Sequence, residues 1–143
     1  MPPDVTSVAL IICQKIETAD SGICSAIGIA DVYRLDDDPA LIHALLIIKT
    51  EPNADPNLEH KLQVFLLNPE GLSRRLSHGN EIVKYFSSLP IPGIHGGITV
   101  TIDLQLDGSP AGIYMLYVLL DGEAAAKAPI MLLPAVNEAQ SLG

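Results

Sequence analysis

The sequence predicts an all-β protein: a two-sheet antiparallel Greek-key sandwich, immunoglobulin-like, of seven or eight strands. Three observations carry this. Short β-rich runs are separated by turn residues roughly every 10 to 15 positions, the spacing of strands in a sandwich. No stretch of the 143 residues shows a convincing amphipathic helical period, so an alternating strand–helix architecture fails. Asp121-Gly122 sits between two apolar runs, and this dipeptide supplies the positive φ angles that a tight hairpin turn needs.

Taken in order, residues 6–17 read as a first strand with Val8, Leu10, Ile12 and Ile16 on one face. Ala19-Asp20-Ser21-Gly22 is a turn, since short polar side chains and a glycine suit tight geometry. Residues 23–35 read as one second strand, in which Gly28 marks a bulge or a close backbone approach. Asp36-Asp37-Asp38-Pro39 breaks the chain. Residues 41–50 and 60–67 are the third and fourth strands, joined by a loop rich in Pro and Asn. Residues 72–89 hold either one more strand near 81–87 or a helical turn. Residues 98–106 alternate Ile98, Val100, Ile102 and Leu104 against Thr99, Thr101 and Asp103, a strand with one wet face. Residues 112–120 and 124–133 are the last pair. A single domain over residues 1–136 and a frayed tail over 137–143 follow.

Gly112-Ile113-Tyr114, a few residues after Pro110, matches a tyrosine corner. There a tyrosine near a strand start folds its hydroxyl back onto upstream backbone. Tyr114 then points inward with Leu116, Val118 and Leu120. Gly112, Tyr114, Asp121 and Gly122 are the structural residues of this region.

These pieces resemble an uncharacterised bacterial family of small β-sandwich proteins of about 130–150 residues with no assigned function. The likeness rests on the strand Val8-Ala9-Leu10-Ile11-Ile12-Cys13 and on Ile27-Gly28-Ile29-Ala30-Asp31. It continues in His60-Lys61-Leu62-Gln63-Val64-Phe65-Leu66-Leu67, and ends in Gly112-Ile113-Tyr114, Leu120-Asp121-Gly122 and Pro129-Ile130-Met131-Leu132. It implies a sandwich fold and brings no catalytic residues.

Charge narrows the functions. Acids outnumber bases 17 to 8, for a net charge of −9. Nucleic-acid binding draws on Lys and Arg to displace phosphate counterions, so nucleic acid is not expected as a partner, and neither is an anionic membrane. Met1-Pro2-Pro3-Asp4 has no basic start, and the apolar run 8–13 is too short for a signal core or a span. Leu10-Ile11-Ile12-Cys13 loosely matches a lipoprotein box, but the Ile before Cys13 argues against it. If residues around 19–22 form a hairpin turn, Cys13 faces about Ile27 and Cys24 about Ile16, too far apart to bridge. Two free thiols fit a reducing cytoplasm.

No cofactor is expected. Asp36, Asp37 and Asp38 are the metal candidates, because calcium takes carboxylate oxygens from loops. The run lacks the spacing of a calcium-binding helix–loop–helix and reads as a solvated acidic turn. His43, His60, His78 and His95 pair with no Cys or His at ligand spacing. His43, inside an apolar strand, reads as a hydrogen-bonded buried or interface residue. Gly93-Ile94-His95-Gly96-Gly97 lacks the Lys and Ser/Thr of a phosphate loop.

The informative anomaly is the outer faces. Leu41-Ile42-His43-Ala44-Leu45-Leu46-Ile47-Ile48 and Ile113-Tyr114-Met115-Leu116-Tyr117-Val118-Leu119-Leu120 do not alternate apolar with polar, as a strand with one wet face should. A two-residue turn at Asp121-Gly122 pairs Leu119 with Ala124, Tyr117 with Ala126 and Met115 with Ala128. Leaving such side chains in water forfeits roughly 25 cal/mol per Å². Leu41, His43, Leu45, Ile47, Ile113, Met115, Tyr117 and Leu119 are therefore the candidate interface. The expected function is a non-catalytic interaction or assembly module, a homo-oligomer or one bound to another protein. The alternatives are a calcium- or ligand-binding sandwich that uses the acidic and Gly-rich loops, and an enzyme with an unrecognised site.

Overall fold

The computed structural model describes residues 2, 4–21, 23–34, 42–52, 54–55, 57–74, 82–87, 96–104, 106 and 110–134. Asp36, Asp37, Asp38, Leu41, His78, the segment 88–95 and the tail 137–143 lie outside them.

Two sheets face each other, and the described residues contain no helix. The strands are β1 (Val5–Thr18), β2 (Cys24–Ile29), β3 (Val32–Arg34), β4 (Ile42–Thr50) and β5 (Glu59–Leu67). They continue with β6 (Ser73–Arg74), β7 (Ile82–Ser87), β8 (Gly96–Leu104), β9 (Gly112–Leu120) and β10 (Glu123–Leu133). One sheet runs β2-β1-β4-β8 and the other β3-β10-β9-β5, with β6 and β7 both paired to β5. Every pairing is antiparallel except β3 with β10.

The core is built by the two-residue period of strands. β4 turns in Ile42, Ala44, Leu46 and Ile48, matched across the first sheet by Leu104, Ile102, Val100 and Ile98 of β8. β9 turns in Tyr114, Leu116, Val118 and Leu120, and β5 lays Leu66, Val64 and Leu62 beside the last three. Val8, Leu10 and Ile12 of β1 pack on the same interior.

The predicted strand over 23–35 is two strands. β2 pairs with β1 in the first sheet, and β3 belongs to the second. The chain crosses between sheets at Ala30-Asp31. The Ala30 amide donates to the Ile12 carbonyl at 3.1 Å, and the Met131 amide donates to the Asp31 carbonyl at 2.7 Å. The Tyr33 hydroxyl donates to the Ala30 carbonyl at 2.8 Å. The Ala30 amide and both carbonyls find partners during the crossing, so the apolar run continues while the sheet changes.

The β1–β2 register also differs from expectation. Cys13 faces Ile29 and Cys24 faces Thr18, because the connection closes by a bond from the Ala19 amide to the Ile23 carbonyl at 2.9 Å. Neither cysteine is in a disulfide, and Cys24 Sγ lies 3.6 Å from Thr18 Oγ1. The segment around 81–87 is a strand. The strand count exceeds seven or eight because of this split and the short β6.

Tyr114 is fully buried, and its hydroxyl donates to the Pro110 carbonyl at 2.7 Å. Beside it, Gly112 has φ +145, and a Cβ there would stand 2.5 Å from Pro69 Cγ. Pro69 belongs to a turn capped by the Asn68 side chain, which accepts from the amides of Glu70 and Leu72. A rigid ring thus occupies the space a side chain would need. The β9–β10 turn has φ 51 at Asp121 and φ 81 at Gly122, the left-handed pair of a type I′ turn.

Tyr114→Phe removes one buried hydrogen bond and should cost about 1 kcal/mol in urea unfolding. Gly112→Ala meets both the φ angle and the Pro69 ring and should cost about 1–3 kcal/mol. Urea midpoints for both variants check the order.

Candidate interaction surface

The outward faces follow from the same registers. On the first sheet, β1 presents Ala9, Ile11 and Cys13 beside Ile47, Leu45 and His43 of β4. Those face Thr99, Thr101 and Asp103 of β8. The centre of this face is covered by its neighbours, while Ile27 and Ile29 of β2 stay exposed at its edge. Leu45 is only 4% exposed and Cys13 is fully buried. Burial pushes the Cys13 thiol up, against the backbone amides that oppose it. His43 Nδ1 lies 2.7 Å from Asp103 Oδ1. Leu45, expected in an exposed interface, is therefore interior, and β8 gives this face a polar flank.

The second sheet differs. Its first cross-strand row is Val32, Met131 and Ile113, exposed to 47%, 37% and 51%. The next is Pro129, Met115 and Leu67, then Lys127, Tyr117 and Phe65. Leu119 follows beside Gln63 and Val83, and Lys61 beside Tyr85. The Phe65 and Tyr117 rings stack at 5.5 Å and 15°. None of these rows carries a carboxylate.

The register of β9 and β10 explains the cations. Leu119 pairs with Ala124, but a bulge between Ala124 and Ala126 then places Lys127 opposite Tyr117 and Pro129 opposite Met115. The expected partners Ala126 and Ala128 are thereby displaced. Without the bulge Lys127 would point into the core, where an unpaired charge is costly. The extra residue moves it outward. His43, Leu45 and Ile47 thus sit on one sheet, and Ile113, Met115, Tyr117 and Leu119 on the other. They form two faces rather than one patch.

A third feature has no sequence signature. His60 is 1% exposed at the start of β5. Its Nδ1 lies 2.7 Å from Asp121 Oδ2, and its Nε2 lies 2.7 Å from Asp4 Oδ2. The Phe86 ring of β7 packs on it at 5.4 Å. Asp121 also accepts from the Lys61 amide at 2.8 Å. Asp4 and Asp121 lie 56 and 61 residues from His60 in sequence, so only the fold brings them together. Burial disfavours the imidazolium, but hydrogen bonds to Asp121 and Asp4, with their negative charge, outweigh it and raise the His60 pKa above 6.5. Burial likewise opposes the Asp121 charge, and the bonds from His60 and the Lys61 amide outweigh it, so its pKa falls below 3.8. Both ring nitrogens are engaged by carboxylates, which suits holding segments together rather than proton transfer to a substrate.

Among the described residues no group of three His, Cys, Asp or Glu could hold a metal. No helix among them is long and apolar enough to cross a membrane.

No protein-family model matches the chain, and no curated protein matches it. Among solved structures it is similar to the Pseudomonas fluorescens alkylpurine DNA glycosylase AlkC bound to DNA containing an abasic site analog. The identity is 14% and the TM-score 0.38, over 86% of this chain and 30% of that one. The chain therefore spans less than a third of that protein's length. That neighbour was solved on DNA, against the expectation that nucleic acid is no partner.

The exposed row Val32, Met131 and Ile113 should bind an environment-sensitive apolar dye in the native state. Ile113→Asp with Met131→Asp should lower that fluorescence several-fold. Because the two carboxylates stand directly opposite each other, the pair should also cost about 1 kcal/mol in unfolding free energy, with a cooperative transition retained.

Proposed function

We propose that this protein is a non-catalytic interaction module that self-associates through the outer face of the sheet β3-β10-β9-β5. The observation that carries the reading is the run of apolar rows from Val32, Met131 and Ile113 to Val83 and Tyr85, open on one face. Burying such rows contributes roughly 25 cal/mol per Å², and a contiguous exposed apolar patch marks an interaction site. The rows from Val32 to Tyr85 carry no carboxylate, and Glu59 stands only at their end, opposite Ser87. That supports a second copy as occupant, since two chains of net charge −9 would meet away from most of their acids. The engagement of both His60 nitrogens supports a role outside catalysis.

The same reading includes a Greek-key, immunoglobulin-like topology. What supports it is the order β1-β4-β8 against β10-β9-β5, the short parallel strand beside β10, and the tyrosine bond at the start of β9. The resemblance to the bacterial family of small β-sandwich proteins belongs to this reading too. Two cysteines outside any disulfide support a reducing compartment such as the cytoplasm.

Sedimentation velocity at high micromolar concentration tests the interface. The wild-type chain should run as a dimer or larger, and Ile113→Glu with Met131→Glu should run as a monomer that still unfolds cooperatively, at a lower melting temperature than the associated wild type. A wild-type protein that stays strictly monomeric overturns the proposal.

A further inference from the structure

We propose that Asp4, His60 and Asp121 form a proton-dependent latch: the protonated imidazole holds the segment before β1 against the second sheet, and loss of the proton releases Asp4 while Asp121 stays. The geometry carries this. The three groups come from the segment before β1, the start of β5 and the β9–β10 turn, and they meet within 2.7 Å contacts on each side of the ring. A doubly protonated imidazole donates to both carboxylates. A neutral one has a single N–H and presents a lone pair to the other carboxylate.

Which carboxylate leaves is decided by its remaining bonds. Asp121 keeps the Lys61 amide on Oδ1 at 2.8 Å and donates its own amide to the Lys61 carbonyl at 2.9 Å. It is anchored without the histidine. Asp4 has a buried Oδ1 with no partner among the described residues, and its Oδ2 is held by His60. Its backbone is held by the Glu51 amide, which donates to the Asp4 carbonyl at 2.7 Å. A buried carboxylate with one unmet oxygen and a repelling lone pair on the other is the weaker tie.

Among the described residues, the charges that act on the ring are those of Asp4 and Asp121. β7 contributes the Phe86 ring, and the adjacent end of β4 is the uncharged Thr50. Glu59 and Lys61 belong to the opposite face of β5. The raised His60 value means that this stabilisation is complete below 6.5 and is lost as pH rises through the folded-state value. The lowered Asp121 value sets the acid side. That contribution is present above 3.8 and is lost as pH falls through the folded-state value.

Amide hydrogen exchange and imidazole NMR on the full chain test the latch. The His60 ring should titrate with a midpoint above 6.5. Through that transition, after correction for base-catalysed exchange, the Glu51 amide should lose about tenfold protection while the Lys61 amide stays within about twofold. Asp4→Asn, which removes the charge and keeps the shape, should lower the His60 midpoint by about one unit. A wild-type midpoint at or below 6.5, equal loss of protection at Glu51 and Lys61, or an unmoved midpoint in Asp4→Asn each overturns the proposal. If Asp4→Asn does not fold, the two wild-type amides decide alone.

Discussion

The two-residue period of a strand is the constraint on which this molecule depends. In β9 it sends Tyr114, Leu116, Val118 and Leu120 inward and leaves Ile113, Met115, Tyr117 and Leu119 outside. In that outward stripe only the Tyr117 hydroxyl is polar. A core good enough to hold two sheets together therefore comes with an outer face that is apolar as well. The bulge in β10 is the local correction the pattern allows. It turns Lys127 outward and leaves Ala126 and Ala128 packed on the core.

The two sheets answer the same problem differently. On the first, polar residues from β8 flank the central strands, and neighbouring side chains cover Leu45 and Cys13. Its other edge, β2, still leaves Ile27 and Ile29 exposed beside Lys15 and Cys13. On the second, the flanking strand β3 adds Val32 and β7 adds Val83 and Tyr85, all exposed. There the exposed side chains run on across neighbouring strands, as Val32, Met131 and Ile113 do on β3, β10 and β9.

Two devices close the ends of the sandwich, and both work by giving buried polar groups a named partner. At one, the Tyr114 hydroxyl reaches the Pro110 carbonyl, and Gly112 makes room for Pro69. At the other, His60 joins the start of β1 to the β9–β10 turn. The first is neutral and local. The second is ionic and spans both sheets, so its strength follows proton concentration while the tyrosine bond does not.

The sequence by itself determined the all-β class, the alternation of residues 98–104, the hairpin turn at Asp121-Gly122 and the inward side of β9. These are local properties, because strand period and turn chemistry act over a few residues. It also placed Ile113, Met115, Tyr117 and Leu119 on one outward stripe. Tertiary structure decided the rest. The break at Ala30-Asp31 depends on Ile12 and Met131, which are distant in sequence. Whether Leu45 is open or covered depends on the strands that flank it. The meeting of Asp4, His60 and Asp121 depends on three strand ends converging. Each requires knowing which segments become neighbours, and apolar runs of equal period do not specify their neighbours.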